Sequence, residues 1–189
     1  MGIASEPAAA SDTLAGGDMG RVVGLAASGD EAAFARLVDA FHGDMTRVCF
    51  LITRDVDTAE DAVAAAWAIA WRRLRDVRDA ARVRSWLISV AANEARRTVR
   101  RERRRAVVEI HAVEGLGDGP PDPARRATSL DLVNALARLK PEERALLALR
   151  YVAGFDATEL GRATGMSPSG TRARLGRLLE RLRRELHDG

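Results

Sequence analysis

Two stretches carry most of the chemistry. Residues 96–105 hold seven arginines and one glutamate, a local charge of +6, and residues 156–182 read DATELGRATGMSPSGTRARLGRLLERL, with arginines crowded into the second half. The planar guanidinium fork of arginine suits phosphate oxygens. Placing Leu175 at the centre of a helical face gathers Thr171, Leu178, Leu179, Leu182 and Leu186 on the same side at 100° per residue. Ser169, Gly170, Ala173 and Arg177 then face outward, with Arg172 and Arg174 flanking them. Leucines inward, small residues outward and arginines beside them suit a helix seated in a major groove. The same charge pattern also describes a solvated arginine face on a bundle helix, and the arginine run at 96–105 also describes a helix end fraying into a solvated basic tail.

The turn before that helix has helix-turn-helix chemistry. Asp156 or Thr158 can cap a short helix carrying Leu160 and Ala163. Gly165 can take the positive φ of a tight turn, and Ser167 can cap a third helix with Pro168 at its first position. Nothing comparable points to catalysis. No nucleophile, base and orienting group recur at helical spacing, and the nearest acid pair, Glu60 and Asp61, reads as a cap and docking surface. Cys49 is the single cysteine, and His42, His111 and His187 are scattered, so no disulfide, metal site or cofactor is expected.

The elements that must position these residues are helical. Apolar residues make up 47% of the 189 and aromatics 4%, with no sustained apolar–polar alternation, so an all-α fold is expected. From Asp30, a plausible N-cap, Phe34, Leu37, Val38, Phe41, Met45, Val48 and Ile52 follow a helical face. A second helix opens at Thr58 to Asp61 in capping-box form and carries Val63, Trp67, Ala70, Trp71 and Leu74. A third follows a polar break at 76–82, with Val83, Trp86, Leu87, Val90 and Ala91 apolar before the arginine run. Six of the eight aromatics lie between residues 34 and 86 and mark a first core, to which Trp67 and Trp71 belong.

Residues 106–128 contain Gly115, Gly117, Gly119, Pro120, Pro121 and Pro123, a density of breakers that reads as a flexible linker. A second helical unit starts near Ser129, with Leu130, Val133, Leu136 and Leu139 on one face, and pauses at Lys140-Pro141. Residues 1–20, rich in Ala, Gly, Ser and Asp, read as a disordered N-terminal tail, with Met19 a candidate start. The organisation is therefore a tail (1–20), a first domain (21–105), a linker (106–128) and a second domain (129–189). Thirty basic against 27 acidic residues exclude a uniformly cationic coat; the charge is segregated by segment. No apolar run reaches the length of a membrane span and no signal peptide is evident, so a soluble, cytoplasmic protein without membrane insertion is expected.

Taken together, the segments resemble the extracytoplasmic-function (ECF) sigma factors, the bacterial subunits that direct RNA polymerase to promoters. AEDAVAAAWAIAW (59–71) looks like the second conserved helix of sigma region two. VRSWLISVAANEARRTVRRERRR (83–105) looks like the segment that melts the promoter and reads its minus-ten element. The stretch from Ala135 to Leu186 resembles region four, which reads the minus-thirty-five element. The resemblance implies two small helical domains, core RNA polymerase (clamp and flap) and promoter DNA as partners, and an anti-sigma factor. It implies that the helix holding Glu60 and Asp61 docks on polymerase, and that Trp86, Asn93, Arg96, Arg97, Arg100 and Arg101 engage DNA near the start site. The loop at 76–82 would cradle a flipped base. Arg144, Ser167, Ser169, Arg172, Ala173, Arg174 and Arg177 would contact the upstream element. The sequence departs from the family where Ala64 and Ala65 stand in place of glutamine followed by an acid. From the residues alone, a polymerase-independent repressor or activator using the same C-terminal motif also stays open.

Overall fold

In the computed structural model, residues 16–109 and 135–187 are described. Among them all regular structure is helical: α1 (Gly16–Ala27), α2 (Glu31–Thr53), α3 (Val56–Arg73), α4 (Val83–Glu109), α5 (Pro141–Leu147), α6 (Ala157–Thr164) and α7 (Pro168–His187), with residues 135–138 also helical. The start of α1 corrects the reading of residues 1–20 as a disordered tail. Residues 16–20 are helical and α1 contributes Val22, Val23 and Ala26 to the core; residues 1–15 lie outside the described residues.

The first half forms where the apolar stripes require it. Asp30 caps α2 by accepting from the Ala33 amide at 2.8 Å, and α2 ends on Arg54 in the left-handed region at φ 67°. Asp55, three residues before the expected start, caps α3 by accepting from the Thr58 amide at 2.8 Å. Along α3 the buried positions include Ala59, Ala62, Ala66 and Ala70, small enough to let α2 and α4 pack closely on either side. Trp67 is half-buried and Trp71 is 42% exposed, so Trp71 is not a core residue as expected; both rings meet Phe34 edge-on, with centroids 5.6 and 4.9 Å away. The polar break at 76–82 is built from two short 3-10 turns, Leu74–Asp76 and Ala80–Arg82. Helix α4 buries Leu87, Ile88, Ala91, Ala92 and Ala95, then runs out with Arg100, Arg101, Arg103, Arg104 and Arg105 exposed. It remains helical through Glu109, so the first residues of the expected 106–128 linker continue the helix; the rest of that linker lies outside the described residues.

In the second half, Pro141 opens α5 and the chain passes through a π-type turn, Ala148–Val152, before α6. Asp156 caps α6, accepting from the Thr158 and Glu159 amides at 2.7 and 2.8 Å, while Glu159 returns the bond to the Asp156 amide. Gly165 takes φ 71°, and Ser167 Oγ accepts from the Gly170 amide at 3.1 Å. Thr171, Leu178 and Leu182 are buried, and Leu175, Leu179 and Leu186 are half-buried, as the spacing requires.

The two halves are not separate bodies. Helix α5 packs on α2 and α4, α6 packs on α4, and one continuous apolar cluster runs from Val22 through Leu37, Leu87 and Leu149 to Leu182. The expected two helical domains are present and pack on each other: α5 and α6 carry apolar residues on more than one side, and α2 and α4 supply the surface that covers them.

Candidate nucleic-acid interface

Three arginines tie the halves together, each donating to a carbonyl at or just beyond a helical C-terminus, where backbone acceptors have no partner within the helix. Arg144 Nε donates to the Ile52 carbonyl in the last turn of α2 at 2.8 Å, and its Nη1 donates to the Leu139 carbonyl at 2.8 Å. Arg84 Nη1 reaches the Ala153 carbonyl at 2.9 Å while its Nε and Nη2 hold Asp44 Oδ2 at 3.1 and 2.7 Å. Arg96 donates to the Ala163 carbonyl, at the end of α6, at 3.2 Å and also to Asn93 Oδ1. Burial, with the charges of Arg100 and Arg174, works against the charged form of Arg96 and lowers its pKa. A fourth cross-half contact is ionic: Arg100 Nη2 lies 2.7 Å from Glu142 Oε1. Burial works to raise the Glu142 pKa, but hydrogen bonds from its own amide and from Arg100, with the Arg100 and Arg96 charges, outweigh it and hold the carboxyl below the usual glutamate value.

Beside this seam lies a cleft of about 500 Å³. Its first-half walls are Asp76, Val77, Arg78, Asp79, Arg82, Ser85, Trp86 and Asn93, and its far wall is Phe155, Glu159, Arg162 and Ala163 of the second half. A neighbouring cleft of about 480 Å³ is lined by Asn93, Arg96, Arg97 and Arg100 with Thr164 opposite. Trp86, Asn93, Arg96, Arg97 and Arg100 are thus brought to one side of α4. Arg101 lies further along the same helix and is exposed. An indole face, an amide and several guanidinium groups around an open cleft can stack a base and neutralise its phosphates.

On α7, Ser169, Arg172, Ala173, Arg174 and Arg177 are exposed, and Ser167 is exposed at its N-cap. Arg174 Nη1 contacts Met166 Sδ at 3.8 Å, which directs it towards the turn. The turn is held by a close approach: a Cβ on Gly161 would stand 2.6 Å from the Met166 carbonyl oxygen. Glu60 and Asp61 are both exposed on α3, on the side away from buried Ala59, Ala62 and Val63.

Arg144, expected to contact the upstream element, is instead inside the molecule, 6% exposed, with its guanidinium occupied by the Ile52 and Leu139 carbonyls. A buried cation needs acceptors, and the end of α2 supplies one. Sequence reasoning missed Arg84, Glu142, Phe155 and Arg162 at this site. No periodic signal could have found them, since each acquires its place only when the halves meet.

Comparison with known proteins accounts for both halves. A family model for Sigma-70 region 2 matches residues 37–105, and one for Sigma-70 region 4 matches residues 129–182. The ECF RNA polymerase sigma factor SigL of Mycobacterium tuberculosis is 32% identical over 174 residues, 90% of this chain and 97% of that protein. The probable RNA polymerase sigma factor RfaY of Xanthomonas campestris pv. campestris is 30% identical over 168 residues; the match covers 85% of this chain but 42% of RfaY. Two solved structures share the fold. CnrH, in complex with the cytosolic domain of CnrY, has a TM-score of 0.62 and 23% identity, covering 89% of this chain and 96% of that one. RpoE of Bartonella quintana, in complex with the anti-sigma factor NepR, has a TM-score of 0.62 and 18% identity, covering 82% and 96%.

Proposed function

This chain belongs to the ECF family of RNA polymerase sigma factors, the subunits through which core polymerase recognises promoters, and from that premise we propose which of its surfaces do the work. The observation that carries the reading is that both sigma regions match in order, with a relative aligned over almost its whole length. The exposed face of α7 reads the upstream element, with Ser169, Ala173 and Arg177 against base edges and Arg172, Arg174 and Ser167 positioning the helix on the backbone. The cleft beside α4 takes an unpaired base between Trp86 and Asn93, with Arg96, Arg97, Arg100 and Arg101 along the phosphates. Glu60 and Asp61 dock on core polymerase.

The role is non-catalytic: polymerase supplies the chemistry, and this chain supplies recognition and strand opening in the cytoplasm. No helix among the described residues is long and apolar enough to cross a membrane. An anti-sigma factor is a further proposed partner, supported by the similar fold of RpoE, solved in complex with the anti-sigma factor NepR. The test is transcription of a genomic fragment library by core polymerase with and without the purified chain. New, discrete starts with the chain support the reading, and identical transcript sets reject it. A polymerase-independent operator-binding regulator would occupy duplex DNA without core and start no transcript.

A further inference from the structure

Helix α1 lies ahead of the residues matched as sigma region 2, 37–105, and no surface proposed above includes it. It is nevertheless a built part of the first half. Val22, Val23 and Ala26 are buried, and the helix is held against α2 at both ends. Near its start Arg36 Nη2 lies 2.9 Å from Asp18 Oδ2, and past its end Gly29, at φ 98°, turns the chain back so that the Asp30 amide donates to the Leu25 carbonyl at 3.1 Å. Helix α1 also packs on both 3-10 turns of the loop at 74–82. Each of those turns closes with one backbone bond, from the Val77 amide to the Leu74 carbonyl and from the Arg82 amide to the Asp79 carbonyl, both at 3.0 Å. So short a turn does not hold its own shape, and packing must supply it.

The loop has two sides. Leu74 is buried and Val77 and Ala80 are half-buried against the apolar core, while Asp76, Arg78, Asp79 and Arg82 line the cleft beside Trp86. A Cβ on Gly20 would stand 3.9 Å from the Ala80 Cβ, an ordinary contact, so the gap between α1 and the second turn admits a methyl group and little more. Asp79 accepts from the Ala81 amide at 3.1 Å and pairs with Arg82 Nε at 3.1 Å, so the turn and its two cleft side chains move together. We propose that α1 positions the base-reading loop, with Gly20 setting how closely the second turn stands against the helix and therefore where Asp79 and Arg82 meet a base edge. This rests on the reading above that the cleft takes an unpaired base. A base edge is read by directional hydrogen bonds, which a displacement of about 1 Å disrupts, whereas phosphate contacts made by long arginine side chains tolerate it. Helix α1 therefore acts on discrimination between bases rather than on affinity for the strand.

The test is Gly20→Leu in the full chain bound to core polymerase, with Gly24→Leu as its control. Gly24 lies one turn on in the same helix, exposed and with nothing within 4 Å of a Cβ placed there, so both variants carry the same helix-favouring change. The probes are single-stranded oligodeoxynucleotides spanning the segment just upstream of a mapped start, each position carried in turn as A, C, G or T, titrated by fluorescence anisotropy. The quantity read is the ratio of affinities for the best and worst base at each position, which a smaller folded fraction leaves unchanged. Gly20→Leu is expected to lower that ratio about threefold or more where the preference is strongest, with binding to core and affinity for the worst base as in wild type. Gly24→Leu is expected to keep the wild-type ratio, and Gly20→Leu combined with Ala80→Gly, which reopens the gap, to recover most of it. A wild-type ratio in Gly20→Leu overturns the proposal, as does an equal fall in Gly24→Leu or a fall that Ala80→Gly leaves in place. Loss of core binding by Gly20→Leu would make the glycine structural only and overturns it too. Each of these failures leaves the sigma-factor reading standing. Equal affinity for all four bases at every position in the wild-type holoenzyme removes the base from the cleft, and the reading of the cleft then falls together with the proposal.

Discussion

Arg144 and Ile52, 92 residues apart, meet where the arginine's Nε donates to the isoleucine's carbonyl at 2.8 Å. The contact caps the end of α2 from the other half of the chain, meeting an otherwise unpaired carbonyl at the negative end of the helix dipole. Replacing Arg144 by alanine strands the Ile52 and Leu139 carbonyls and is expected to destabilise the protein by about 1–3 kcal/mol. Urea unfolding of the full chain measures this. A midpoint equal to wild type would mean the buried guanidinium contributes nothing.

Gly161 is required by shape rather than by φ. A methyl group there meets the Met166 carbonyl oxygen at 2.6 Å, and that backbone fixes the angle between α6 and α7. Gly161→Ala is expected to cost about 1–3 kcal/mol, as overpacking does, and to weaken duplex binding by α7. Thermal unfolding and duplex titration check the two effects; wild-type values in both would show that the turn relaxes freely.

Arg177 is exposed on the face of α7 that holds Ala173. Arg177→Ala is expected to weaken holoenzyme binding to a cognate upstream element by about 1–3 kcal/mol and to relax base preference at one position. If it only positions the helix on a phosphate, the loss is uniform across sequences and the salt dependence falls by about one ion. Equal binding across sequences and salt concentrations would remove it from the interface.

Acid should loosen the structure through two carboxylates. Burial tends to raise Glu143, but the hydrogen bonds of Arg181 and of the Lys140 amide, with their charges, leave its pKa lowered, as that of Glu142 is. A group whose folded value is depressed stabilises fully above its unfolded value, here the ordinary 4.5, and loses that contribution as pH falls through the folded value. Urea midpoints are therefore expected to drop more steeply below that value in wild type than in a Glu142→Gln, Glu143→Gln variant. Parallel curves would contradict the assignment.

Cys49 is fully buried on α2, and burial pushes its thiol up to about 12. Alkylation at neutral pH is expected to track global unfolding, with the folded protein unreactive because neither access nor thiolate is available. Rapid labelling of the folded chain would show that α2 opens locally.

Much of this was legible in the residues. The Asp30, Asp156, Ser167 and Gly165 signals each act within a few positions of themselves, so the boundaries they set for α2, α6 and α7 could be read directly. The face of α7 was equally readable, because leucine spacing alone decides which residues point out. Arg144 was placed at DNA by the family resemblance alone, and no local pattern shows that the arrival of α2 supplies the acceptors that bury it. Trp71 failed similarly, since its ring is covered on one side by Phe34 and left open on the other. The seam residues Arg84 and Glu142 carry no local pattern, being defined by a partner in the other half.

The most direct test of the central claim is permanganate footprinting of the complex between core polymerase, this chain and a promoter whose start has been mapped. The expected result is reactive, unpaired thymines just upstream of the start only when the chain is present, with reactivity reduced by Trp86→Ala. Duplex DNA that stays unreactive under a complex that contains both core and this chain would contradict it.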